Sequence, residues 1–262
     1  MPESAEAPPT RPILARVRRA LVALGLLATA FACFLSLVAL ALAKERPAWW
    51  RTVRRDDPAT RAAADEVENG IVNLLFSREH SPEPGEASPP WRVALSAGDA
   101  NAWLNAKMPL WIEAEFEHPV DWPEDLREVQ VDFRGAVIRI GIRVAEKDQV
   151  FWAAIEPSID DQGRLWLPAR WAYLGRLPVP VPLVMDRVRR NPEAFVPDDF
   201  RDLPQTEALF RIFAGEVPAF DEPVVKLSDG RRVRLLGLTA LDDGRLILTC
   251  RTERPSRASA GF

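Results

Sequence analysis

Three hydrophobic patterns follow one another along the chain, and each predicts a different element. The first is an unbroken run, ALVALGLLATAFACFLSLVALALA, 24 residues from Ala20 to Ala43 without a charge. As a helix it extends about 36 Å, enough to cross a bilayer core of about 30 Å with some tilt. The second is helical spacing. In TRAAADEVENGIVNLLF the apolar residues Val67, Ile71, Leu74 and Leu75 recur at i, i+4, i+7 and i+8. In LSAGDANAWLNAKM a helix starts near Ala97, with Ser96 as N-cap and Asp99 in the capping-box position, and it turns Trp103 and Leu104 to a core. The third is alternation at period two, from Val129 onward.

VQVDFRG sets Val129, Val131 and Phe133 on one face, and AVIRIGIRVAE sets Ile138, Ile140, Ile142 and Val144 there, with Arg139 and Arg143 opposite, facing solvent. VFWAAIEPSI places Phe151, Ala153 and Ile155 in register, and GRLWLPARW groups Leu165, Leu167 and Trp171. After two short helices, in PLVMDRVRR and TEALFRIFAG, a second β segment runs through PVVKLSDGRRVRLLGLTALDDGRLILTCR. IDDQGRL, LSDGRRV and LDDGRLI read as turns, since Asp-Gly flanked by alternating apolar residues is a hairpin signal and the oxygen donors of a calcium loop are missing. The fold class expected is α+β: an N-terminal transmembrane helix, then a curved antiparallel sheet, a meander, with helices packed on one face.

Composition narrows the chemistry. The 262 residues carry a net charge of −4, which argues against nucleic acid as a partner of the whole chain. Cys33 falls inside the apolar run and Cys250 in the last β segment, so no disulfide and no cysteine metal site is expected. His80 and His118 are the only histidines and both lie in Pro-rich loops, which leaves no basis for a His triad or a metal centre. Glu113, Glu115 and Glu117 alternate in WIEAEFEHP, read as the acidic solvent face of a strand rather than a pair of catalytic carboxylates. Asp121, Asp198 and Asp199 have no partner base. The expectation is no enzyme, no catalytic residue, no metal and no cofactor.

The apolar run exceeds the length of a cleavable signal core, about 7–15 residues, so an uncleaved anchor is expected although ALA before Lys44 resembles a cleavage site. Basic residues nearly tie across the run: Arg11, Arg16, Arg18 and Arg19 before it, Lys44, Arg46, Arg51, Arg54 and Arg55 after it. A short tail ahead of a large following domain is the signal-anchor layout, which places the domain outside the cytoplasm, in a single-pass protein of the inner membrane. Trp49 and Trp50 suit the headgroup belt, or else pack on the domain. The expected organisation is a cytoplasmic tail over 1–19, the anchor over 20–43, a juxtamembrane linker over 44–58, an extracytoplasmic domain over 59–254 and a disordered tail over 255–262.

The passage YLGRLPVPVPLV, from Tyr173 to Val184, has Pro178, Pro180 and Pro182 at every second position. It withholds three N–H donors, so it fits neither a central strand nor a helix interior. It suits an extended rim beside an apolar groove, or a rigid crossover that seals the core, with Pro182 near the start of the next helix. Leu95-Ser96 with Asn101 to Leu104, the strand VQVDFRGAVIRIGIRV and the turn from Gly175 together resemble YpmS-like single-pass bacterial membrane proteins. More distantly they resemble LmeA-like proteins and the tubular lipid-binding (TULIP) group. The resemblance spans about residues 60–190. It implies lipid handling with membrane lipids as partners, and the helix face, the one-faced sheet and the proline rim offer a groove formed by Trp103, Leu104, Ile138, Ile140, Ile142, Leu177, Val179 and Val181. The competing expectation is a scaffold that docks a membrane protein complex.

Overall fold

Alternation at period two builds two antiparallel sheets and a small ribbon, in a computed structural model that describes residues 11–77, 82–115, 126–144, 148–191 and 204–255. An apolar helix, α1 (Arg11–Lys44), comes first; its segment Leu24–Lys44 is long and apolar enough to cross a membrane. Helix α2 (Pro58–Leu75) opens with Pro58 in its first turn, and Asp57 caps it by accepting the Ala59 N–H at 3.1 Å. Strand β1 (Trp91–Ser96) runs into α3 (Ala97–Ala106), and α4 (Met108–Glu115) follows. Then come β2 (Leu126–Arg134), β3 (Val137–Val144), β4 (Gln149–Ile155), β5 (Ser158–Ile159), β6 (Leu165–Trp166), β7 (Ala169–Leu174) and β8 (Leu177–Val179). The chain closes with α5 (Val181–Arg190), α6 (Pro204–Phe213), β9 (Val224–Lys226), β10 (Arg232–Ala240) and β11 (Arg245–Glu253).

The larger sheet has the order β2-β3-β4-β7-β8 and the smaller β1-β11-β10-β9, while β5 and β6 form a ribbon of their own. The mixed α+β meander with helices is therefore what the alternation predicted. Register assigns the faces of the larger sheet, because directly opposed residues share a face. Ile138, Ile140 and Ile142 sit opposite Phe133, Val131 and Val129 on one side and Ile155, Ala153 and Phe151 on the other. Phe151 and Ala153 pair with Leu174 and Ala172, which pair with Leu177 and Val179. One face is thus apolar from β2 to β8. Its β2–β3 part meets Leu95, Ala100, Leu104, Leu238, Ala240, Leu246 and Leu248, and this is the main core.

The predicted cap of α3 is present: Ser96 Oγ accepts the Asp99 N–H at 3.1 Å and donates to the Asp99 carboxylate at 2.7 Å. The three Asp-Gly turns are present as well. Gly163, Gly230 and Gly244 have φ of 78°, 85° and 84°, and Asp160, Asp229 and Asp243 each accept the backbone N–H of the arginine that follows the glycine.

Four expectations are corrected. Arg139 and Arg143 do not face open solvent: their side chains are 25% and 16% exposed and paired with Asp132 and Glu128, because the second face of the sheet is covered. Leu165, Leu167 and Trp171 do not form one strand face, since Pro168 divides the segment and leaves Leu165 buried and Trp171 51% exposed. On α2, Leu74 and Leu75 pack against the Trp91–Val233–Cys250 cluster as the spacing expects, but Ile71 is 42% exposed and the fully enclosed residue is Ala64, against Ala102 and Ala106. Glu113 and Glu115 belong to helix α4, not to a strand. Glu117, His80, His118, Asp121, Asp198 and Asp199 lie outside the described residues.

Candidate functional site

Small residues on the larger sheet make room for the end of α1 and for the segment after it. β7 and β8 are joined through Gly175 and Arg176. Gly175 adopts φ 57°, and a Cβ there would lie 2.5, 2.7 and 2.6 Å from the carbonyl oxygens of Ala43, Leu42 and Glu45. The Arg176 N–H donates to the Leu42 carbonyl at 2.8 Å, and the Arg176 side chain pairs with Glu45. The last carbonyls of a helix lack partners within it. Here the hairpin turn supplies one, and Ala43 and Pro47 are buried beside it.

From this seat the chain crosses the sheet over its second face. Trp49 stands edge-on to Trp152 at a centroid distance of 5.7 Å, and Trp50 lies 5.5 Å from Trp49. Trp152 stacks on Tyr173 at 3.8 Å and donates its indole N–H to the Gly175 carbonyl at 2.7 Å. Gly141 lies under both tryptophans; a Cβ there would be 2.8 Å from Trp50 and 3.1 Å from Trp49. Arg51 then pairs with β2: its N–H donates to Gln130 Oε1 at 3.0 Å, and the Gln130 amide donates to its carbonyl. Gln130 is fully buried. Residues 45–51 thus form a strap running from the β7–β8 turn to β2, before α2 packs on α3. Trp49 and Trp50, which the sequence offers to a headgroup belt or to packing on the domain, are half-buried against this sheet face.

Charge beneath the strap is arranged in a chain. Arg143 pairs with buried Glu128 and with Asp148, and Asp148 also receives Arg46 of the strap at 3.1 Å. Burial opposes the charge on Arg143, but Asp148 and Glu128 outweigh it and raise its pKa. The Arg143 guanidinium, then that of Arg46, hold the Asp148 carboxyl below its usual range.

The residues expected to line a groove divide into groups. Leu104, Ile138 and Ile140 come together in the core between the sheets, so that end is filled by the protein's own side chains. Ile142 and Leu177 share their face but lie nearer the strand ends that hold α1, whereas Val179 is level with Ile140, on the edge strand. Leu177 and Val179 are three strands from β3, about 14 Å away at the usual strand spacing. Val181 opens α5, which packs on β7, and Trp103 is half-buried on α3 outside the core cluster. Pro178 sits in β8, an edge strand, where a missing N–H costs no ladder bond. Pro180 is the N-cap of α5, with Pro182 in its first turn.

Sequence reasoning missed Asn101 and Asn105. Asn101 accepts the Val131 N–H at 2.6 Å and donates to the Val131 carbonyl at 2.9 Å; Asn105 does the same with Val129 at 3.3 and 2.7 Å. Two side chains one helical turn apart therefore satisfy the outer edge of β2 as a neighbouring strand would. The signal was there: two asparagines at i, i+4 in an alanine-rich helix. Among the described residues no group of three or more His, Cys, Asp or Glu is placed to hold a metal ion. Cys33 and Cys250 are free, and burial pushes the Cys250 thiol up to about 11.

The chain matches no family model, no curated protein and no solved structure.

Proposed function

We propose that the chain is a single-pass protein of the inner membrane whose domain lies outside the cytoplasm and handles a lipid or other apolar ligand without catalysis. The observation that carries this reading is the continuation of the apolar sheet face past the filled core. Val129, Ile142, Phe151, Leu174 and Leu177 are half-buried and extend it towards the strand ends that grip Leu42 to Glu45, and half-buried Val179, level with Ile140, carries the same face to the edge strand. An acyl chain entering from the bilayer would meet this part of the sheet first. Eight methylenes buried there contribute about 6 kcal/mol against association costs of about 4–15, so binding is weak and exchangeable. Retention of the anchor is supported by its seat, since a segment destined for removal needs no receptor on the mature domain.

The test is native mass spectrometry of the full-length chain with displacement of a fluorescent fatty acid. Bound lipid that is lost in Val179→Glu, with the fold intact, supports the reading; a bare mass with no displacement refutes it. Protease treatment of spheroplasts should remove a C-terminal tag, and a mature N-terminus at Lys44 would refute the anchor. A second reading, a scaffold for a membrane protein complex, is favoured by the filling of the Leu104–Ile138–Ile140 part of the groove and by the strap, which supports a domain held in one pose.

A further inference from the structure

A cleft of about 390 Å³ opens between the start of α2 and the α3–α4 junction, lined by Arg55, Arg61, Asp65, Ala106, Lys107 and Leu110. Lys107 is neutralised by Asp65 and by Glu68 at 3.3 Å. Arg55 and Arg61 are exposed, and neither is within ion-pair distance of a carboxylate among the described residues. Three cations, Arg55, Arg61 and Lys107, thus face two carboxylates, Asp65 and Glu68, which leaves a net charge of +1, and Arg55 and Arg61 are the cations not held in an ion pair, with planar forks that suit the oxygens of a phosphate.

Register fixes where the cleft lies. Asn101 bonds Val131 and Asn105 bonds Val129, so α3 runs along β2 towards Leu126. Leu126 pairs with Val144, Val144 with Gln149, and Phe151 with Leu174, which precedes the turn that seats α1. The C-terminal end of α3, and the cleft with it, is at the end of the sheet that grips the apolar helix. At the same place α4 exposes Leu110 and Trp111, at 55% and 53%, a greasy and an amphipathic side chain next to a cationic cleft.

We propose that this cleft binds the phosphate of an anionic phospholipid of the bilayer that α1 spans, with Leu110 and Trp111 set into the interfacial layer beside it. The inference rests on the membrane reading above and adds to it a headgroup class and a site apart from the apolar face. Arg55 comes 11 residues after Lys44 and four after Arg51, where the strap is fixed to the sheet, so the site is held within a short span of the anchor's exit.

The experiment uses the full-length chain in nanodiscs of equimolar phosphatidylglycerol and phosphatidylcholine, released for native mass spectrometry. Retained phosphatidylglycerol should exceed phosphatidylcholine, and R55A/R61A should lower that excess about tenfold. R92A/K226A, which removes two exposed charges on the smaller sheet, should leave it unchanged. Both double variants should keep the wild-type melting temperature, since none of the four side chains is buried. Calorimetry with inorganic phosphate on the chain in neutral detergent separates the two sources of the anion. Millimolar or weaker binding fits a headgroup site, whereas tight binding of phosphate without lipid selectivity overturns the lipid assignment. Equal retention of the two lipids, or an excess that survives R55A/R61A, overturns the site. Val179→Glu should not affect the headgroup excess, so failure here and failure of the apolar-face reading are told apart.

Discussion

At the residue scale, single positions decide how the apolar helix meets the domain. Gly175 combines a left-handed backbone with a Cβ position blocked by three carbonyl oxygens. Gly175→Ala should therefore cost about 2 kcal/mol or more and free residues 42–51 for proteolysis. Gly163→Ala, with similar φ but open space around it, should carry only the backbone penalty of about 1 kcal/mol. Equal melting temperatures and equal cleavage in the two variants would remove the seat from the account. The register makes a second contrast. Ile140→Asp places an unpaired charge in the core and should prevent folding or cost about 4 kcal/mol or more. Arg139→Asp sets two carboxylates opposite each other, because Asp132 faces Arg139 across the β2–β3 pair, and should cost about 1–3 kcal/mol in denaturant melts. The alternation showed which of these side chains shared a face; it did not show that a strap would cover the polar one. The docking partners, Gly141 and Gly175, were visible only as breaks in apolar patterns, and what each accommodates is more than 90 residues away in sequence.

At the element scale, α3 does the work of a sixth strand. Asn101→Leu strips the hydrogen-bond partners from the N–H and C=O of Val131 in a buried setting and should cost about 2–4 kcal/mol, with faster amide exchange along β2. Unchanged exchange at Val131 would mean that water or another group satisfies the edge. The strap has its own pH dependence. Asp148 titrates below its usual range when folded, so its contribution is present above about pH 3.9, the unfolded value, and is lost as pH falls through the folded one. Cleavage within residues 45–57 should thus rise in acid below about pH 4, and Asp148→Asn should flatten that rise. The strands from Val129 onward, the hairpin turns and the α3 cap could be read from the sequence because they depend on local periods and local side chains; β1, in the WRVALS segment, is not among the strands expected from the sequence. The split into two sheets could not, since β1 joins β11 across about 150 residues and nothing in the WRVALS segment names its partner.

At the scale of the whole molecule, α1 and the sheet are joined at several points: the Leu42 carbonyl, the Glu45–Arg176 pair, the tryptophans and Arg51. A chain beginning at residue 45 retains the strap and should melt well above one beginning at residue 57, which exposes the indole of Trp152 and leaves Gln130 without its Arg51 partners. Comparable melting temperatures would show that the strap adds nothing to the fold. Lipid handling itself was suggested by a resemblance and by the proline rim. Part of the residue set so assigned went into the core, because β10 and β11, late in the sequence, fold back over β2 and β3.

The join at Gly175 has a mechanical consequence. Because backbone, not flexible side chains, meets backbone there, a twist of α1 about its own axis cannot be absorbed by a slack linker and must turn the β7–β8 hairpin with it. The hairpin belongs to a five-stranded sheet whose far edge is clamped by Asn101 and Asn105, so the torque passes across all five strands to the α3 side. Mechanically, the apolar helix joined in this way is comparable to a shaft, and the sheet to its crank arm.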